Sequence, residues 1–245
     1  MNYEIKKMST GEILDTASRV FKDNLVPLFG ISFGLQAAIL FLTALIETIF
    51  FVDDADVWAA VAGLIAVVLM LFMAPFVTAI STRYIADRYL GRDGGLGSAF
   101  KASIGIFIPL LFAIILGSIF MGIGMLLLVI PGFYLMLRFS LIAPATVVER
   151  RGGMAALGRS GMLVKGAYGK LLLLFVIQWV AILFSALPAF LIFGEGMTTD
   201  MINAVISALV GSFFAVVWTV TYFERRCEHE GFDMQLLAQS FSDEQ

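Results

Sequence analysis

The chain has 245 residues, of which 60% are hydrophobic and 14% charged, with a formal net charge of −3 and a mean hydropathy of +0.95. Soluble domains carry about 25% charged and 45–50% apolar residues, so the composition excludes a pair of ordinary soluble domains. A single cysteine, Cys227, excludes an internal disulfide.

Residues 1–24 are polar and mixed in charge, and no cleavable leader is expected. Ser9 and Glu12 fit an S-x-x-E capping box. Ile13, Leu14, Ala17, Val20 and Phe21 follow at helical spacing, with Asp15, Ser18, Arg19 and Lys22 on the other face. This predicts an amphipathic helix lying in the membrane interface. Leu25–Ile46, Val57–Thr82, Leu171–Gly194 and Met201–Phe223 contain no Asp, Glu, Lys or Arg. Each exceeds the ~20 residues that cross a ~30 Å hydrocarbon core. Ala102–Val148 is long enough for two crossings, with Pro131-Gly132 as its one strong break. Proline lacks a donor and glycine tolerates positive φ, so this pair is read as the outer turn. Continuous apolar runs, rather than ~10-residue alternating segments, favour helices over a β-barrel.

The expected fold is therefore all-α: a polytopic membrane protein of six transmembrane helices, arranged as three hairpins, each preceded by a cytoplasmic interfacial helix. Residues 1–24 form the first such helix, 25–223 the transmembrane domain and 224–245 a cytoplasmic tail. Val20-Phe21-Lys22, Ala99-Phe100-Lys101 and Leu163-Val164-Lys165 each precede a span. They are read either as a threefold repeat or as the general attraction of lysine to lipid phosphate. Gly30-x-x-x-Gly34, Ser118-x-x-x-Gly122 and Ser207-x-x-x-Gly211 are candidate close-packing faces.

Orientation follows from the cations. With six crossings, every Lys and Arg except Arg138 falls on one side, while Asp53, Asp54, Asp56, Glu195 and Asp200 fall on the other. Both termini are expected to be cytoplasmic, in a bacterial inner membrane.

Arg138 is the only charged residue between Ala102 and Val148. An arginine at a helix centre costs at least ~2.5–3.5 kcal/mol on insertion scales, and its long stem relieves this by snorkelling. Three readings stand: an ion pair with Glu47 near the outer leaflet, a lipid phosphate or other anionic ligand, or an arginine reaching solvent without a specific partner. Gln36 and Gln178 lie deep enough to need hydrogen-bond partners, more in keeping with interhelical bonds than with transport ligands. Lys22, Lys101 and Lys165 are candidate contacts for anionic lipid headgroups.

No catalytic, metal or cofactor site is expected. Cys227-Glu228-His229 offers too few ligands for zinc and is read as solvated tail. Arg92-Asp93-Gly94-Gly95-Leu96-Gly97 lacks the flanking strand and Lys-Ser/Thr of a phosphate loop. Cations scattered along the inner face suit anionic lipid rather than nucleic acid; a second copy or another membrane protein is admitted as a partner.

Three stretches carry a resemblance. Ile130-Pro131-Gly132-Phe133-Tyr134, Arg138 and Val147-Val148-Glu149 form the first. Ala155-Ala156-Leu157-Gly158-Arg159-Ser160 with Leu163-Val164-Lys165-Gly166 form the second, and Tyr222, Arg225 and Glu230-Gly231-Phe232-Asp233 the third. In this order they resemble the membrane-domain family of glycerophosphoryl diester phosphodiesterases and related bacterial membrane proteins of unknown function. The resemblance implies six to eight membrane helices. It does not imply phosphodiesterase activity, because the soluble catalytic domain sometimes fused to such domains has no counterpart in the chain. Gly161 stands where the family carries tryptophan. The resulting expectation is a non-enzymatic lipid-interacting or scaffolding module, with transport of a small amphiphilic or anionic solute as the alternative.

Overall fold

A computed structural model describes residues 3, 5–49, 55–92, 94–194 and 196–234. Side chains at 43–44, 46–49, 55–60, 62, 66, 186–190, 193 and 197 are outside that description. Among the described residues the secondary structure is helical, without strands: α1 (Thr10–Asp23), α2 (Leu25–Ile49), α3 (Ala55–Tyr89), α4 (Leu96–Leu127), α5 (Val129–Arg138), α6 (Ile142–Glu149), α7 (Gly153–Leu163), α8 (Tyr168–Phe193) and α9 (Met197–Glu230). Six segments are long and apolar enough to cross a membrane: α2, α3, α4, α5 joined to α6, α8 and α9.

α1 begins as its capping residues dictate. Ser9 Oγ accepts from the Glu12 N–H at 3.4 Å, and Glu12 Oε2 accepts from the Ser9 N–H at 2.7 Å. Its apolar face is not left to lipid. Ile13, Ala17 and Val20 are fully buried against the protein's own core, and Phe21 meets Phe213 of α9 edge-on.

Helices of 35, 32 and 34 residues, α3, α4 and α9, span roughly 50 Å at ~1.5 Å per residue. That exceeds the hydrocarbon thickness, so their charged ends project beyond it. Two sequence expectations change as a result. Residues 83–89 end α3 and residues 96–101 begin α4, with no interfacial helix among the described residues between them, and α9 continues unbroken through Glu230, so residues 224–230 are helix, not tail. The core gathers at this charged end, where an aromatic column runs Tyr3–Tyr89–Phe223–Phe232 with centroid spacings of 5.7, 5.4 and 5.9 Å.

The turn after α4 falls at Leu128, three residues before Pro131. Pro131 instead occupies the first turn of α5, where helical N–H groups have no intrahelical acceptor and a missing one costs nothing. Gly132 serves close packing: a Cβ there would lie 2.8 Å from the Met125 backbone nitrogen. Gly124 is opposite, its own Cβ position 3.1 Å from Gly132 Cα. The expected small-residue faces differ, since Cβ atoms at Gly30, Gly34, Gly122 and Gly211 would meet nothing within 4 Å.

Candidate functional site

The chain's three resemblance stretches converge at the charged end. Glu149, at the end of α6, accepts from Arg159 Nε of α7 at 2.6 Å and from the Tyr222 hydroxyl of α9 at 2.8 Å. Arg159 also reaches Glu230 at 2.5 Å, and Glu230 binds Arg226 at 3.0 Å. Burial works against the Arg159 charge, but the hydrogen bonds it donates to Glu230 and Glu149 outweigh it and hold its pKa above the ordinary value. Arg225, 2% exposed, donates to the carbonyls of Leu163 and Lys165 at 2.8 and 2.9 Å, pairs with Glu228 and lies 2.6 Å from His229 Nε2. These carbonyls end α7, so Arg225 supplies the donors that the helix end lacks. Glu224 is fully buried and accepts from Lys170 Nζ of α8 at 2.7 Å; Lys170 also donates to the Met8 carbonyl at 2.7 Å.

This network ties α6, α7, α8, α9 and the residues before α1 into one polar knot. Its acids and bases bind one another, which suits holding helix ends in place. Among the described residues no group of three His, Cys, Asp or Glu side chains is placed to hold a metal. His229 and Cys227, expected in solvated tail, sit in the last turn of α9, with Cys227 buried. Glu224, Lys170 and Arg225 were not separable from ordinary flanking charges in the sequence. The only signal was that Glu224 and Arg225 directly follow an uninterrupted apolar run.

Arg138 ends α5, ten residues past Leu128, or roughly 15 Å from the turn by helical rise. It sits against Gly161 of α7, where an added Cβ would be 2.8 Å from Arg138 Nε. The missing side chain at Gly161 leaves the space this arginine occupies. Tyr134 and Tyr168 flank it, their hydroxyls 3.3 Å apart. Arg138 therefore lies toward the charged end, where α8 begins, rather than near the α4–α5 turn. The expected partner, Glu47, has its side chain outside the described residues.

The backbone beneath Arg138 is interrupted at Phe139–Leu141, between α5 and α6. Ser160 repairs the break, donating to the Arg138 carbonyl at 2.8 Å and accepting from the Leu141 N–H at 3.2 Å. Buried backbone groups in an apolar surrounding need such partners.

The two glutamines differ. Gln178 of α8 accepts from Trp218 Nε1 of α9 at 2.9 Å, an interhelical bond. Gln36 lines a polar cavity of about 180 Å³ with Asp200, Asn203 and Ser207 of α9. Asn203 Oδ1 is buried there without a hydrogen-bond partner. Sharing Leu40 and Ala204 with it, a larger apolar cavity of about 460 Å³ lies between α2 and α9, lined by Phe33, Ala37, Phe41, Met201 and Val205 among others. Phe41 and Met201 are largely exposed. Lys22, Lys101 and Lys165 are exposed, spread over the end of α1, the start of α4 and the turn after α7.

No family model, curated protein or solved structure matches the chain.

Proposed function

We propose that this chain is a non-enzymatic, lipid-interacting module of a bacterial inner membrane, with both termini in the cytoplasm and its six crossings paired as three hairpins. The observation that carries the lipid reading is the α2–α9 crevice. Its apolar wall, Phe33, Ala37, Phe41 and Met201, adjoins a polar patch of Gln36, Asn203 and Ser207. An amphiphile fits such a lining: its chain meets the apolar wall and a polar group meets the unsatisfied Asn203 oxygen. Lys22, Lys101 and Lys165 sit at the end where anionic headgroups would meet them. The orientation rests on segregated cations, and the family resemblance is kept as part of this reading.

Mass spectrometry of the protein purified in mild detergent tests the proposal. A retained phospholipid or similar amphiphile is expected, with retention markedly reduced by Ala37→Trp, which fills the crevice. Retention unaffected by that substitution, or no retained amphiphile, overturns it. The alternative is transport of a small amphiphilic or anionic solute; the polar lining of Gln36, Asp200, Asn203 and Ser207 favours the amphiphile, since the Asp200 carboxylate repels an anion. Solute flux in proteoliposomes that disappears in Gln36→Leu would select it.

A further inference from the structure

We propose that a second, cationic pocket at the charged end of α4, between Lys101 and Arg150, binds the phosphate of an anionic phospholipid headgroup. This rests on the lipid-interacting reading and assigns it a headgroup site, separate from the α2–α9 crevice. The pocket has a volume of about 300 Å³ and is lined by Lys101, Ala102, Gly105, Ile106, Pro109 and Arg150. Its lining holds two cations and no carboxylate. Among the described residues no acid lies within ion-pair distance of either cation. The nearest acid in the chain, Glu149, is already engaged by Arg159, Tyr222 and, at 3.7 Å, Arg151. Lys101 and Arg150 are exposed donors on one pocket, and a phosphate there can accept charge-assisted hydrogen bonds from both.

The backbone holds this arrangement at a cost. Arg150 has φ 55° and ψ 34°, the one non-glycine residue of positive φ among those described. Left-handed backbone is unfavourable for a residue with a Cβ, and such strain persists where the surroundings fix it, often at binding sites. The turn is locked next door, where a Cβ at Gly152 would stand 2.7 Å from Pro109 Cα. Gly105 leaves the pocket open, since its Cβ would meet nothing within 4 Å. On the adjoining face of α4, Ile104, Ile108 and Phe112 are 57%, 71% and 55% exposed at four-residue intervals. A headgroup at Lys101 and Arg150 places its acyl chains along that stripe, which favours a lipid over free phosphate.

The test is titration of the full chain in detergent, followed by fluorescence, with short-chain phosphatidylglycerol, short-chain phosphatidylcholine and inorganic phosphate. Phosphatidylglycerol should bind tightest, and Lys101→Gln should weaken it about fivefold, the value of one cation near a membrane surface. Gly105→Leu, which fills the pocket and removes no charge, should weaken it at least as much. Arg150→Gly should lower affinity while the melting temperature holds or rises, because glycine relieves the left-handed strain. That opposition separates a binding loss from a folding loss. A preference for phosphatidylglycerol that all three variants leave unchanged overturns this site and leaves the lipid reading standing. Equal binding of both lipids, with no amphiphile retained on purification, overturns both. Inorganic phosphate binding as tightly as phosphatidylglycerol overturns the headgroup assignment.

Discussion

The two ends of the helical bundle are built on different principles. At the charged end, α1, α3, α7 and α9 bury Ile13, Tyr89, Leu163 and Phe223 almost completely, and ion pairs are threaded between them. Toward the other end an apolar and a polar cavity lie between α2 and α9, lined by Phe33, Leu40, Phe41, Met201 and Asn203. In lipid, helices gain nothing by hiding apolar surface from one another, so packing and polar contacts must do the joining. The contrast shows where this chain fixes its structure. Its helices are anchored by buried side chains and ion pairs at the charged end, and cavities open between α2 and α9 farther along.

The largest break in that contrast should come from Lys170. Lys170→Met strands the fully buried Glu224 carboxylate, and losing one member of a buried pair costs about 3–5 kcal/mol. A fall in melting temperature in detergent should show it, and adding Glu224→Leu should restore most of the loss. An unchanged single variant would mean the ion pair is no anchor. Glu149→Ala comes next, since it releases Arg159 and the Tyr222 hydroxyl together. Arg159 keeps Glu230, so the loss should be about 1.5–3 kcal/mol in total, the value of one hydrogen bond to a charged group, and the same melt reads it.

Glycines sharpen the comparison. Gly132→Ala forces a Cβ into the Met125 backbone and should cost about 1–3 kcal/mol as overpacking. Gly34→Ala, in open space, should be neutral or stabilising by up to about 1 kcal/mol. Equal penalties at the two positions would erase the distinction between the close α4–α5 approach and the open face of α2.

The smallest effect is a pH dependence. Burial, then the hydrogen bond to Asp23, pushes the Tyr3 hydroxyl from 10.0 up to about 12. The folded state therefore favours the neutral phenol. Its contribution is intact below pH 10 and is lost as pH rises through about 12. Melting curves should show a slope in that window that Tyr3→Phe removes; a slope surviving in the variant assigns it elsewhere.

Much of the architecture was legible because it is written in lengths. Charge-free runs the thickness of a bilayer mark spans whatever their packing, and Ser9 with Glu12 announces α1 through local hydrogen bonds alone. Pro131-Gly132 misled because proline suits the first turn of a helix as well as the turn before it. Reading Pro131-Gly132 as the turn puts Arg138 six residues from it, whereas the chain reverses at Leu128, ten residues before Arg138. The polar knot was legible only as scattered motifs. Glu149, Arg159, Tyr222 and Glu230 share no periodicity, and their meeting depends on how α6, α7 and α9 pack.

The hydroxyl of Ser160 has a consequence for biogenesis. It satisfies backbone groups at Arg138 and Leu141, yet it is synthesised some twenty residues after them. A nascent chain that ends before Ser160 lacks the partner that these two groups have in the folded protein. The α5–α6 segment is therefore completed only when α7 folds back onto it.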